Sequence, residues 1–377
     1  MLAFDQRSLL LDIDADVDVD ICVEPQFDFL STEYRAFYNL RRATVFQAPG
    51  WLDAIHRKLA PHLNAKQYTV TVRNRHDRAL LAVIPFVVQK SAGLSILQPA
   101  DFGVCDYNCV IGDAHFLEML AADATALDRI NELLGLGDVL IFRKILNNRF
   151  DAGRLFRNVT TSNCENGAYH SEIGDDFEVW QRRTIRRKFS KELGRLGRQI
   201  EREFGQYEHR QVRSEPEIRE AMAVLRDKRS RRFETDLLHD DVYFSFYCDY
   251  AVAAAQSGEA ITYVSYLNGK PVAVLFGLAG GDEFHAVLLG SDIDNYGKFS
   301  VGIQILYRVI KLRFEQGFRR FDMGLGNTGY KSHFRVDETA LHNFTCSRSL
   351  SGSALSFVYH RTKPLKNLLK KYVPRLR

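Results

Sequence analysis

The stretch FDMGLGNTGYKSHF, residues 321–334, concentrates groups that could move a proton or hold a charge. A run rich in aromatic residues ends on the carboxylate Asp322. Glycines 324, 326 and 329 follow, and then the pair Tyr330-Lys331. A carboxylate can accept or orient a proton, a phenol can donate one, and an ammonium can hold a phosphate or a developing negative charge. Glycine permits positive φ and lets backbone approach a ligand closely. An acid at the carboxyl end of a strand in an open α/β sheet also lies beside the usual ligand crevice. Asp322 therefore reads either as a proton-handling group or as a structural cap of its glycine loop. His285, in EFHAVLLGS, is an alternative base or an ordinary strand histidine.

A second constellation precedes it. DIDNYGKFSVG opens the helical pattern IQILYRVIKLRFEQG, so Gly297, Lys298, Ser300, Val301 and Gly302 fall where a strand turns into a helix. Free amides and the positive end of the helix dipole make such a point an anion site. The spacing matches neither GxGxxG nor a P-loop, and an ordinary helix start with Ser300 as N-cap is the competing reading.

These groups need a frame. EFHAVLLGS, the glycine loop, the helix and FRRFDMGL together predict a parallel crossover unit. YTVTVR/ALLAVIPFVV and ITYVSY/PVAVLFGLAG predict hairpins, with Asn74 and Asn268 at comparable turn positions, which suggests two lobes of related fold. ETALHNFTCSRSL predicts a last strand. Between the lobes, Ile185, Phe189, Leu193, Leu196, Ile200 and Phe204 form one helical stripe, and Asp175 and Asp176 suit that helix's N-terminus. The opposite face, from Arg182 to Arg198, is either a solvated surface or a positive wall beside an anion-accepting groove. In RTKPLKNLLKKYVPRLR, residues Leu365, Leu368, Leu369, Tyr372 and Val373 share one helical face among lysines. That tail is expected to anchor reversibly on an anionic membrane surface, to meet an anionic nucleotide, or to dock on the protein itself.

Bulk properties set the limits. A chain of 377 residues exceeds one ordinary core, so two domains are expected. A net charge of +4 does not argue for DNA as a partner. No apolar run approaches the ~20 residues that span a bilayer, and the N-terminus lacks a signal-peptide pattern. The six cysteines lack metal-ligand spacing; they read as reduced thiols of a cytoplasmic protein, with no metal expected.

The pattern Asp322, Gly326, Tyr330, Lys331 resembles the C-terminal signature of the CelD/BcsL-like acetyltransferases of the GNAT superfamily, which are similar to two-lobed Fem-type transferases. RRTIRRKFSKELGRL, GKPVAVLFGL, FRRFD, FQAPGWL (46–52) and Asp106-Tyr107 extend the resemblance over residues 40–345. It implies an α+β or α/β fold of two GNAT-like lobes with mixed sheets and flanking helices. The expected divisions are 1–170, 171–355 and a basic helical tail at 356–377. It further implies transfer of an acyl group from acetyl-CoA or another acyl-CoA, held at residues 297–302, to an amine on a sugar or lipid-linked glycan. Asp322, Tyr330, Lys331 and, as an alternative, His285 would carry the chemistry. Asn327 and Thr328 stand where family members often carry acids, which moves the base to Asp322 or Tyr330. The first lobe is expected to be mainly structural. Aminoacyl transfer of Fem type and a degenerate GNAT-fold regulator binding an anionic ligand are the alternatives.

Overall fold

The structure, a computed structural model, describes residues 17–361 apart from 42, 92, 147–149, 327–329 and 337. Both hairpins form where the alternation and turn residues put them. In the first, β2 (Ala65–Asn74) pairs antiparallel with β3 (Leu80–Ser91). In the second, β10 (Ala260–Leu267) pairs with β11 (Lys270–Gly280). Asn268 and Gly269 join the latter at φ 49° and 75°, the left-handed pair that matches strand twist in a two-residue turn.

One plan occurs twice. In the first half, β1 (Val19–Glu24), β2, β3 and β4 (Leu94–Pro99) run antiparallel. The helices Ala114–Ala122 and Ala124–Leu133 then cross over to β6 (Val139–Ile145), which lies parallel to β4. The short β5 (Ile111–Gly112) pairs with β3. In the second half, β9 (Tyr207–Val212), β10, β11 and β12 (Glu283–Ser291) run antiparallel. The helix Val301–Glu315 crosses over to β13 (Arg320–Leu325), parallel to β12. The expected crossover unit is therefore present, and so are two mixed sheets with flanking helices.

Each half lends the other a strand. β8 (Ala168–Glu172) pairs antiparallel with β13 and with the short β14 (Glu338–Thr339) in the second sheet, and β15 (His342–Ser347) pairs antiparallel with β6 and with β7 (Thr160–Asn163) in the first. The helix Leu350–Arg361 follows β15, placing Leu355 against Ile96, Val139 and Ile141. The expected boundaries at 170 and 355 are thus corrected. The second sheet already begins at Ala168, and residues 342–361 return to the first. Strand periodicity reports which face is buried but not which sheet a strand joins. One core runs through both halves and includes Phe46, Trp51, Tyr107, Tyr247 and Phe276.

The stripe from Ile185 to Phe204 also differs from expectation. It is not one helix but two, Phe177–Thr184 and Arg187–Phe204, broken where Ile185 and Arg186 adopt extended ψ of 128° and 129°. Trp180 and Ile185 face the core of the second sheet, whereas Leu196 and Ile200 pack with Phe299 and Val301. Two packing partners in different directions need a bend. Asp176 caps the first helix through the amides of Glu178 and Val179. The tail helix expected over residues 364–373 lies outside the described residues. Among those described, no helix is long and apolar enough to cross a membrane.

The detail that matters most lies in β12. The partner of Phe276 on β12 is Leu288, but the partner of Gly277 is Ala286, so Val287 is an extra, bulged residue. A bulge bends its strand and increases local twist. On the other side, the parallel ladder to β13 comprises Glu283–Arg320, Phe284–Phe321 and His285–Asp322, and stops there. The sheet opens immediately beyond His285 and Asp322. Gly277 allows the bulge, because a Cβ there would sit 2.6 Å from the His285 carbonyl oxygen and against the Phe284 ring. Gly277→Ala should destabilise the fold by about 1–3 kcal/mol, read from urea unfolding. No change in midpoint would mean that the bulge tolerates a side chain.

Candidate active site

Asp322 ends the parallel ladder and is only 3% exposed. A lone buried carboxylate would be costly, and each oxygen here has a donor. Oδ2 accepts from the Tyr107 hydroxyl at 2.7 Å, and Oδ1 accepts from the Gly324 amide at 2.6 Å. Asp322 is therefore the cap of its own loop and also part of a charged cluster; the two readings coexist.

His285 lies beside it with no exposed surface. Its Nε2 is 2.8 Å from Asp106 Oδ2, and its Nδ1 is 3.4 Å from Asp322 Oδ1, within ion-pair reach but without hydrogen-bond alignment. Phe46 meets the ring edge-on at 4.7 Å. Burial alone would lower the imidazole pKa; the charges of Asp322 and Asp106 outweigh it and leave the pKa raised. For Asp106, burial works against the carboxylate, but the hydrogen bond and charge of His285 hold its pKa below the ordinary range. The Asp106 side chain stays 26% exposed. Tyr107 is pushed the other way, by burial first and then by the Asp322 charge, so its phenol keeps its proton.

Two further groups complete the cluster. Lys331 donates to the carbonyls of Gly324 and Leu325, both at 2.9 Å, closing the end of β13. Burial pulls its pKa down to about 8, against the charges of Asp106 and Asp322. Glu283 stands two residues before His285 on the same strand face, 3.6 Å from Arg320, with a pKa raised by burial and then by Asp322. Donor atoms of Glu283, His285 and Asp322 lie within 4.8 Å of one another, a set that could hold a small cation. The Asp322 oxygens and His285 Nε2 already have protein partners, so we read the set as an acid–base cluster. Glu283, Asp322 and Tyr107 line a cavity of about 1000 Å³ between the two halves.

The first half supplies Asp106 and Tyr107 to the cluster. Their loop is pinned from beneath. Arg143 contacts both oxygens of the buried Asp101 (3.1 and 2.5 Å), Lys144 reaches Asp101 at 3.1 Å, and Asn108 donates to Asp101 at 2.8 Å. The sequence marked Asp106-Tyr107 as a landmark without giving it a chemical role. It gave Glu283 none either, although its two-residue spacing from His285 was a usable signal.

The other expected residues fall elsewhere. Gly297, Lys298, Ser300, Val301 and Gly302 stand at the far end of β12, after a short helix Ile293–Tyr296 and a 3-10 turn Gly297–Phe299. Ser300 precedes the Val301–Glu315 helix at φ 55° and makes no side-chain cap; its carbonyl takes the amides of Ile303 and Gln304. Gly302 permits close approach to Ser291, whose Oγ would lie 2.7 Å from a Cβ there. Lys298 is exposed, 3.4 Å from Glu203 and over the Phe299 ring. Six residues separate His285 from Ser291, roughly 20 Å of strand, so this turn and the charged cluster occupy opposite ends of the opened seam. The Tyr330 side chain lies outside the described residues.

Residues 182–332 match the family model described as acetyltransferase (GNAT) domain. No curated protein matches the chain in sequence. Among solved structures the chain is similar to FemX, at 10% identity over 90% of this chain and 98% of that one, with a TM-score of 0.60. It is also similar to a conserved protein of unknown function from Bacteroides thetaiotaomicron VPI-5482 (11%, 87% and 100%, TM-score 0.52). L-PGS from Bacillus licheniformis gives 13%, 86% and 93%, with a TM-score of 0.51. At these identities the likeness is one of fold. The chain has a two-lobed GNAT-like fold and carries a GNAT acetyltransferase domain; it is an acyltransferase.

The raised pKa of His285 has a consequence for stability. A protonated group favoured by the native state stabilises fully below its unfolded pKa, ~6.5, and this contribution is lost as pH rises through the folded pKa. Wild type should therefore lose stability relative to His285→Asn as pH rises through and above neutrality. Urea unfolding of both proteins at a series of pH values checks this, and parallel curves would contradict a charged His285.

Proposed function

We propose that the protein transfers an acyl group from acyl-CoA, acetyl-CoA in the simplest case, to a primary amine held in the cleft between its halves. The opening of the β12–β13 ladder beyond His285 and Asp322 is the observation that carries the reading. It leaves unpaired strand backbone beside a buried acid–base cluster, with a helix start at the far end of the same seam. An extended thioester arm fits such a seam, its phosphates toward residues 297–302. Whole-chain likeness to FemX and L-PGS supports a two-lobed transferase, and the motif resemblance to CelD/BcsL-like proteins supports an acceptor amine on an exopolysaccharide or envelope glycan. A peripheral position on the inner face of the cytoplasmic membrane, through the basic tail, fits that acceptor.

The amine must lose a proton to become a nucleophile. Asp322 reaches the cleft and accepts it, directly or through one water. The Tyr107 hydroxyl donates to one of its oxygens, and the His285 ring lies beside the other. The new C–N bond forms as the C–S bond breaks, and the released proton ends on the departing thiolate. Tyr330 is the candidate donor for that last step. Lys331 fixes the carbonyls at the end of β13 and adds positive charge where negative charge develops.

Aminoacyl transfer of Fem type is the second reading, favoured by likeness to FemX over nearly the whole chain. Calorimetric titration with acetyl-CoA distinguishes the two: binding in the micromolar range is expected for the first, and none for the second or for a degenerate regulator. Asp322→Asn should lower turnover on the order of 10²–10⁴-fold while leaving acetyl-CoA affinity unchanged. Full activity in that variant would remove Asp322 from the chemistry.

A further inference from the structure

The two walls of the cleft differ in a way that acyl transfer does not require. Among the described residues, the second-half wall carries Glu172, Asp282, Glu283 and Asp322, with His170, against the guanidinium of Arg320, which Asp282 already engages at 2.7 Å. At the rim of the opposite wall, Arg41 lies 3.9 Å from Asp113, so that pair adds no net charge. The net field on the floor is therefore negative and favours a cation. The buried His285 behind Asp322 is held by the Asp106 carboxylate at 2.8 Å, so its charge leaves the excess of carboxylates on the cleft floor in place.

The first-half wall is apolar. Leu40 is 74% exposed, an unusual state for a leucine facing a cavity, and Leu146 and Phe150 are only half-buried beside it. Val110, Leu117 and Ile145 lie behind them. A cavity with a converging set of polar groups on one side and accessible apolar side chains on the other fits an amphipathic ligand. A bare polyhydroxylated acceptor would leave its hydroxyls unpaired against that wall.

We propose that the cleft selects primary amines bearing an apolar chain, with the ammonium directed at Glu283 and Asp322 and the chain lying along Leu40, Leu146 and Phe150. This rests on the acyl-transfer reading for the fate of the amine, but the binding itself does not need a donor. Among glycan acceptors it favours one whose amine lies close to an apolar or lipid-like portion over a free amino sugar.

The test uses the full chain and no acyl donor. Butylamine, hexylamine, octylamine and glucosamine are titrated calorimetrically, each below its micellar concentration. Affinity should rise roughly two- to fourfold per added methylene until the wall is covered, and glucosamine should bind more weakly than any of the alkylamines. Leu146→Asp should lower octylamine affinity at least about tenfold. Phe150→Ser, at a half-buried position, provides the same readout should the first variant misfold. Glu283→Gln should weaken all three alkylamines by a similar factor. Affinity independent of chain length, or tighter binding of glucosamine, would overturn the proposal. Addition of acetyl-CoA then separates the two readings. Ordered alkylamine binding without acylation would leave the cleft assignment standing and end the acyl-CoA reading. Acylation of glucosamine without any chain-length trend would do the reverse.

Discussion

The contact that brings the two halves of this protein together is the row Asp106–His285–Asp322–Tyr107. Two of its members come from each half. Neither His285 nor Asp322 could be buried as a charge alone at reasonable cost, since an isolated ionised group in a protein interior is strongly disfavoured. Each charge is tolerated because the other half supplies its partner. Asp106 holds His285 at 2.8 Å, and Tyr107 holds Asp322 at 2.7 Å. Removing one partner would strand the other, so the relative placement of the halves and the electrostatics of the cluster are one constraint.

Other features serve that constraint. The reciprocal lending of β8 and β15 ties each sheet to chain from the other half, so the halves cannot drift apart without breaking strand ladders. The Asp101–Arg143 pair fixes the loop that delivers Asp106 and Tyr107, and Phe46, from FQAPGWL, packs against the His285 ring. The bulge at Val287 lies where the β12–β13 ladder ends, which sets the buried charges beside an open seam.

The two sides of the cleft differ in their chemistry. The second half contributes carboxylates and the crossover helix. The first contributes an apolar wall and the two side chains that hold the cluster. A single lobe would offer an open sheet with a half-compensated set of charges. Two lobes enclose it and give its two sides different chemistry.

The sequence by itself determined much of the local frame. Asn268-Gly269 dictated a tight hairpin, the strand–glycine loop–helix–strand order dictated a parallel crossover, and Asp322 was marked by its place at a strand end before a glycine loop. All of these follow from short-range backbone preferences, which a linear chain states openly. What the chain could not state was which distant segments meet. The pairing of Asp106-Tyr107 with His285 and Asp322 spans 179 and 215 residues. The return of β15 to the first sheet depends on the same kind of long-range choice, and the break at Ile185 on two packing directions that one apolar stripe cannot reveal. Glu283 was legible only as a strand residue, because its meaning comes from the charges that tertiary packing places around it. Propensity acts over a few residues, whereas burial and charge pairing act through space, and the site of this enzyme is made of the latter.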